Sequence, residues 1–253
     1  MYINIYTSIL HAECSEEQEF EMLDVVKVGG FRYLRTNILT ERKGKILIQK
    51  QMESSQDIDE FLSLWRQAEK SSETLKVIQA LFYCLQVRDP LTAEHSANMA
   101  RYATQLASHF DRENVLLYFA GSLTHDIGKL GISDRILKGD SKLSNDERKS
   151  ISVHVTAGVY ILQAMGLPQL IVDIAEYHHE RYDGSGYSKG LVGNEIPLAG
   201  RIAAIADTFS ALTSTRPYAP ALSRDKAIEI MARDKKLYDP KILSYFFAMK
   251  KKK

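Results

Sequence analysis

LTHDIGKLGI, residues 123–132, sets an ionisable pair, His125-Asp126, between Leu123 and Ile127 in apolar sequence. A buried ionised carboxylate costs several kcal/mol unless something compensates it, and a metal ion is the strongest compensator available. One exposed His beside one exposed Asp near a helix end is the plain alternative. The choice turns on whether other ligand-type residues occupy apolar helix faces elsewhere in the chain.

They do. Asp89-Pro90 stops one predicted helix, because a residue before proline is pushed out of the helical region, and Thr92 is placed to cap the next. On that next helix His95 shares a face with Met99, Tyr102, Ala103 and Leu106. The helix after it ends in His125-Asp126. Ser144 and Glu147 make a capping box for a further helix, on which His154 lines up with Ile151, Val155, Gly158, Ile161 and Met165. Pro168 opens a helix whose Ile171, Ile174 and Ala175 share a stripe with His178, followed directly by His179. AGRIAAIADTFSALTS then puts Asp207 on a face with Ala203, Ala206 and Ser210, small residues that let helices approach closely.

Five histidines and two aspartates therefore lie on or beside the inward faces of five helices. Singly each has a plain explanation as a satisfied core group. Together they would be very costly without counter-charge, and two divalent cations would satisfy them all. Helical bundles host such sites because inward side chains from facing helices converge. Imidazole and carboxylate ligation without thiolate suits iron, manganese or zinc.

The rest of the chain bounds this reading. Of 253 residues, 45% are apolar and 26% charged, as in ordinary globular proteins. A net charge of +1 leaves no electrostatic footprint for duplex nucleic acid. Cys14 and Cys84 form neither a disulfide framework nor a zinc knuckle. No signal-peptide pattern or membrane-length apolar run is present, so the expectation is a cytoplasmic protein away from the membrane. YINIYTSIL (2–10), VVKVGGFRYL (25–34) and KILIQKQ (45–51) read as strands broken at Gly29-Gly30 and Lys43-Gly44. From about Asp57 the period becomes helical, and Leu75, Ile78, Phe82 and Leu85 form one stripe. The expected fold is mainly α: a helical bundle over 71–253 with a small strand-rich N-terminal element over 1–70, of unknown role. The closing run Lys250–Lys253 reads as a solvated tail.

The collected residues resemble those of the HD superfamily of metal-dependent phosphohydrolases, and most closely its HD-GYP branch of bacterial cyclic-di-GMP phosphodiesterases. The resemblance runs from about Leu81 to Phe247. His125-Asp126-Ile127-Gly128-Lys129 looks like the family's HDIGK, and His95 and His154 look like its separate histidines. HHERYDGSGYS (178–188) resembles HHExxDGxGYP, and ADTFSALTSTRPY (206–218) resembles the segment with the last ligand. The resemblance implies an HD-type bundle holding two divalent ions, iron or manganese first and zinc third. It makes His95, His125, Asp126 and Asp207 ligands of one ion. Asp126 bridges to the second, completed by His154, His178 and His179. It assigns Lys129 and Arg216 to substrate phosphate and puts Tyr187 and Asp183 on the substrate side. It implies a partner contact through the GYP-like loop, with a diguanylate cyclase as candidate, and allows a homodimer.

Some positions depart from the family pattern. Leu91 stands where members with three metals carry a Glu ligand, which sets the expectation at two. Ser188 replaces the proline of GYP, which is expected to loosen the loop. Ser210 stands where Asp is usual, and Ala219-Pro220 where basic residues are usual, so one phosphate contact is expected to be missing. Two cations sharing a water would supply hydroxide near neutral pH for in-line attack on a phosphodiester. The implied reaction opens cyclic-di-GMP to pGpG, with GMP as the product of a further cut. Asp126 and Lys129 are its catalytic residues. Lys129 reaches a phosphate oxygen or else serves a helix C-terminal dipole. Asp183 and its glycines shape the pocket or form only a tight turn. Glu180 is a candidate partner for an imidazole. A non-catalytic cyclic-dinucleotide sensor or docking module, and an enzyme acting on cyclic GMP-AMP or another nucleotide, are the competing readings.

Overall fold

The structure, a computed structural model, describes residues 18–21, 38–42, 45–48, 73–137, 145–214 and 220–251. Three short strands, β1 (Gln18–Glu21), β2 (Ile38–Arg42) and β3 (Lys45–Ile48), pair antiparallel in the order β1-β2-β3. Helices follow: α1 (Glu73–Arg88), α2 (Pro90–Phe110), α3 (Val115–Thr124), the single turn α4 (Asp134–Leu137) and α5 (Asn145–Ala164). Then come α6 (Gln169–Tyr177), α7 (Leu198–Thr213), α8 (Arg224–Arg233) and α9 (Pro240–Lys251). No described helix is long and apolar enough to cross a membrane.

Helix α2 is the axis of the bundle. Its Met99, Tyr102 and Leu106 enter one apolar cluster with Ile202, Ile205 and Phe209 of α7 and Phe246 of α9. Its Ala93, Ala97 and Ala100 enter a second cluster with Ile78, Phe82 and Leu85 of α1 and Phe119 and Leu123 of α3. Buried on both sides, α2 packs along α1, α3 and α7, while α6 lies against α3, α5 and α7. The alanine face permits the close approach of α1 and α3. The larger residues fill the wider space toward α7. The expected α1 stripe is buried at Ile78, Phe82 and Leu85; the Leu75 side chain lies outside the described residues.

Two local expectations are corrected. The cap of α2 is Asp89, not Thr92: the Asp89 side chain accepts from the Leu91 amide at 3.2 Å, and the Thr92 hydroxyl donates to Asp89 at 2.6 Å. Pro90 occupies the first helical position, where its missing N–H leaves nothing unpaired and its fixed φ suits the helix. Met165, placed by spacing on the His154 stripe, is 53% exposed. The helix stops at Ala164, and Gly166 at φ 64° turns the chain away. Pro168 does open α6, as its cap residue. Ser144 and the side chain of Glu147 lie outside the described residues, as do the side chains of the terminal lysine run.

After α3 the chain enters a 3-10 segment, Ile127–Gly131, packed against α5. Gly128 makes this possible: a Cβ there would collide with the carbonyl oxygen of His154 and lie 2.6 Å from the Gly158 nitrogen. Both obstacles are backbone, so a helix or the segment must move. Gly128→Ala is expected to lower the unfolding free energy in urea by about 1–3 kcal/mol. Gly131→Ala, where nothing lies within 4 Å of the added carbon, is the control that leaves that overpacking term out.

Candidate metal centre

His125 is the residue just past α3, so the helix end delivers His125 and Asp126 into the space between α2, α5, α6 and α7. His95 comes from α2, His154 from α5, His178 and His179 from the end of α6, and Asp207 from α7. His125, His154 and His178 are fully buried, and His95, Asp126 and Asp207 nearly so. The structure thus brings all seven sequence-predicted groups together. Three overlapping sets of donors lie within 4.8 Å of one another: His95–His125–Asp207, His125–Asp126–His178 and His154–His178–His179.

The donor atoms are aimed from behind. The Nδ1 of His125 lies 2.8 Å from the Ser122 carbonyl, that of His154 2.6 Å from Ile151 and that of His178 2.8 Å from Ala175. A carbonyl only accepts, so each Nδ1 carries the proton and each Nε2 presents a lone pair inward. Those lone pairs meet each other and the carboxylates. His154 Nε2 is 3.4 Å from His178 Nε2, and Asp126 reaches in two directions, Oδ2 to His125 Nε2 at 3.2 Å and Oδ1 to His154 Nε2 at 3.2 Å. His95 Nε2 lies 2.9 Å from Asp207 Oδ1, with His125 Nε2 3.9 Å from the same oxygen. Ligands about 2.1 Å from a common ion lie roughly 3.0–3.4 Å apart, so all of these separations but the 3.9 Å one are close to those around a first-row divalent metal. His125 Nε2 and Asp126 Oδ1 are buried without a hydrogen-bond partner, which fits donors meant for a cation.

Protonation follows the same logic. Burial pushes His95 below the usual imidazole range despite its Asp207 partner, and pushes His178 well below it, helped by His179 and His125. Burial likewise takes His179 down to about 3. His125 goes the other way: burial opposes its charge, but Asp126, Asp207 and the Ser122 carbonyl together raise it. Burial works against both carboxylates, yet His125 and Lys129 hold Asp126, and His95 holds Asp207, well below the carboxylate range. Ionised carboxylates and mostly neutral imidazoles are the states a divalent ion requires.

Lys129 Nζ donates to Asp126 Oδ2 at 2.6 Å, so the family-type lysine touches the central carboxylate directly. Tyr187 stacks on His179, rings 4.6 Å apart, and its amide donates to the His179 carbonyl. Burial, then the charges of Asp126 and Asp207, raise the Tyr187 hydroxyl. Asp183 accepts from the Ser185 amide and hydroxyl with one oxygen and pairs with Lys236 at 3.3 Å with the other. Its carboxylate builds the turn and ties it to the chain before α9. Arg216 and Ala219 lie outside the described residues.

Glu180 does not serve an imidazole. Its buried carboxylate accepts from the amides of Lys189 at 2.6 Å, Gly190 at 3.1 Å and Leu191 at 3.1 Å. It clamps the far arm of the GYP-like loop through bonds nine to eleven residues long, a span that carries no local sequence signal. The same loop needs Gly186, where a Cβ would collide with the backbone of residues 179–181. Ser188, expected to slacken the loop, donates to the Glu176 carbonyl at 3.3 Å, and Lys189 pairs with the Glu176 carboxylate at 2.6 Å. The position therefore carries a hydrogen bond where proline would supply a fixed φ. Ser210, a small residue on the α7 face and a departure from the family pattern, hydrogen-bonds His95.

The helical bundle buries imidazoles and carboxylates around one His-Asp pair, in sets that could hold a metal ion. The sequence profile of the HD domain matches residues 65–242, and the chain belongs to the HD domain family. A cyclic di-GMP phosphodiesterase of Thermotoga maritima is 37% identical over 182 residues, 70% of this chain and 49% of that protein. The 3'3'-cGAMP-specific phosphodiesterase 3 of Vibrio cholerae is 37% identical over 158 residues, 61% of this chain and 34% of its own length. The chain thus spans between a third and a half of these relatives. Among solved structures, the HDG"Y"P protein from Bdellovibrio bacteriovorus matches with a TM-score of 0.54 at 12% identity, covering 93% of this chain and 100% of that one. That likeness establishes the fold.

Glu180→Ala removes the acceptor of three amides at once. Amide hydrogen exchange at Lys189, Gly190 and Leu191 is expected to speed up by about an order of magnitude or more. Leaving such donors unsatisfied costs about 1–3 kcal/mol. Unchanged exchange at all three amides would show that the clamp does not hold the loop.

Proposed function

We propose that this chain is a metal-dependent phosphodiesterase that hydrolyses cyclic-di-GMP to linear pGpG, with GMP the product of any second cut. The observation that carries this reading is the placement of Asp126, whose two oxygens face imidazoles from different helices. On this reading His95, His125, Asp126 and Asp207 hold one divalent ion, and Asp126, His154, His178 and His179 hold another. Leu91, with no donor atom, limits the number to two, with iron or manganese preferred over zinc. Such a pair, when bound, supplies hydroxide near neutral pH and positive charge at the phosphorus.

The chain's own residues do the remaining work. Lys129 Nζ lies against Asp126 Oδ2, within reach of a non-bridging phosphate oxygen, and it opposes charge that builds there as the bond to the ribose 3′-oxygen breaks. Arg216 clamps phosphate with its planar fork. Tyr187, stacked on His179 and 40% exposed, offers a wall for the substrate, and Asp183 keeps its loop in shape. The loop is also the surface we assign to a diguanylate cyclase partner. Residues 1–70 are read as a separate strand-rich element from the helical domain of 71–253.

A second substrate reading has specific support. Relatives named for cyclic di-GMP and for 3'3'-cGAMP are both 37% identical to this chain, so cyclic GMP-AMP is the alternative dinucleotide. The test is turnover of both compounds, side by side, by protein loaded anaerobically with iron or with manganese. Cyclic-di-GMP is expected to give pGpG at the higher kcat/KM. Faster opening of cyclic GMP-AMP reverses the substrate assignment. Intact substrates under every metal would replace the enzyme with a sensor. Asp126→Ala is expected to lose both metal and turnover, and its keeping both would remove the bridging role. Lys129→Ala is expected to keep the metal and lose about 10²-fold in kcat.

A further inference from the structure

Among the four histidines whose Nδ1 contact is described, His95 is held differently. His125, His154 and His178 each give their Nδ1 proton to a carbonyl three residues back on their own helix. His95 Nδ1 instead lies 2.9 Å from Ser210 Oγ, on α7, and the same oxygen lies 2.9 Å from the His95 carbonyl. A carbonyl only accepts, so the hydroxyl proton goes to it. When His95 Nε2 gives its lone pair to a cation shared with Asp207, the ring proton is on Nδ1 and Ser210 Oγ is left to accept it. Ser210 is fully buried, and it sits one turn after Asp207 on the same helix. One side chain therefore holds the Nδ1 side of the His95 ring, while its neighbour one turn earlier supplies the carboxylate facing Nε2.

We propose that Ser210 is a positioning residue that sets the affinity of the His95–His125–Asp207 half of the centre, independently of the His154–His178–His179 half. The proposal rests on the metal reading given above. A backbone carbonyl cannot be altered by mutation or by evolution without moving a helix, so three of these imidazoles have a fixed partner. The partner of His95 is a side chain, and hence adjustable. A neutral hydroxyl draws less on the imidazole proton than a carboxylate would, because hydrogen bonds to a charged acceptor are roughly twice as strong. With serine there, His95 is a weaker donor to metal than the family's usual Asp would make it. Partners behind a metal-bound histidine are worth about 10–100-fold in metal affinity.

Three variants test this. Ser210→Ala removes the acceptor, Ser210→Asp replaces it with a charged one, and Asn98→Ala serves as control. Asn98 donates to Ser214 at 3.3 Å, another link between α2 and α7 that touches no histidine. Manganese or iron binding is followed by chelator competition, and the His95 Nδ1–H by proton–nitrogen NMR on protein loaded with diamagnetic zinc. Wild type is expected to show two classes of ion and a slowly exchanging His95 Nδ1–H. Ser210→Ala should weaken one class about 10–100-fold, leave the other, and speed exchange of the His95 Nδ1–H. Ser210→Asp should slow that exchange again and tighten the same class beyond wild type. Asn98→Ala should match wild type in both readouts.

Equal loss in Asn98→Ala would show that helix spacing, and not the hydroxyl, is what matters, and would overturn the proposal. So would unchanged exchange of the His95 Nδ1–H in Ser210→Ala, or weakening of both ion classes together. A wild-type protein that binds no ion sinks the metal reading and the affinity claim with it. Normal wild-type loading beside unaltered Ser210→Ala sinks this inference alone.

Discussion

Asp126 carries a negative charge where water hardly reaches, at 2% exposure. Removing one carboxylate from water costs several kcal/mol even after the protein relaxes. The fold meets that cost with cationic and polar groups drawn from several helices at once. Lys129 comes from the next turn of chain, His125 from the preceding position, and His154 and His178 from α5 and α6. None of these would stand where it does without the packing of the helix that bears it. The apolar clusters on the two sides of α2 are thus the means by which one charge is held, and a divalent ion is the natural completion.

Rigidity follows from how the imidazoles are anchored. A ring bonded to its own helix three residues back moves only if that helix moves, and α5 is pinned to the 3-10 segment through Gly128. The His95 ring instead depends on the spacing of α2 and α7, which large residues such as Tyr102 and Phe209 fill edge to face at 5.0 Å. The GYP-like loop is organised around a second buried carboxylate. Glu180 is compensated by three amides and no metal donor, so one turn of sequence, HHE, uses its ionisable groups for two different purposes.

Much of this was legible in the chain. Helical periodicity placed His95, His178 and Asp207 on buried faces, because those faces are set by local spacing and the residues around them are strongly apolar. Legibility failed where the partner was distant in sequence or where a helix ended. Thr92 fitted the capping preference, but Asp89 two residues before Leu91 fits the geometry that Pro90 dictates. Met165 continued the spacing of His154 beyond the point where α5 ends. Glu180 bonds amides that only the return of the loop brings near. Ser210 matched the pattern of small residues at a close helix crossing, and its hydroxyl became informative only once α2 lay beside it.

The sequence by itself determined a mainly helical domain and the identity of seven ionisable residues on apolar faces, since hydrophobic spacing and residue chemistry are local properties. It also marked the HDIGK and HHERYDGSGYS stretches, with glycines at the two points where backbones touch. Tertiary structure alone decided that the two oxygens of Asp126 face different imidazoles, that Lys129 lies against one of them, and that Ser210 stands behind His95. Those facts depend on distances between helices, which are fixed by how the side chains between α2, α5, α6 and α7 fill space, and no spacing along one chain segment encodes them.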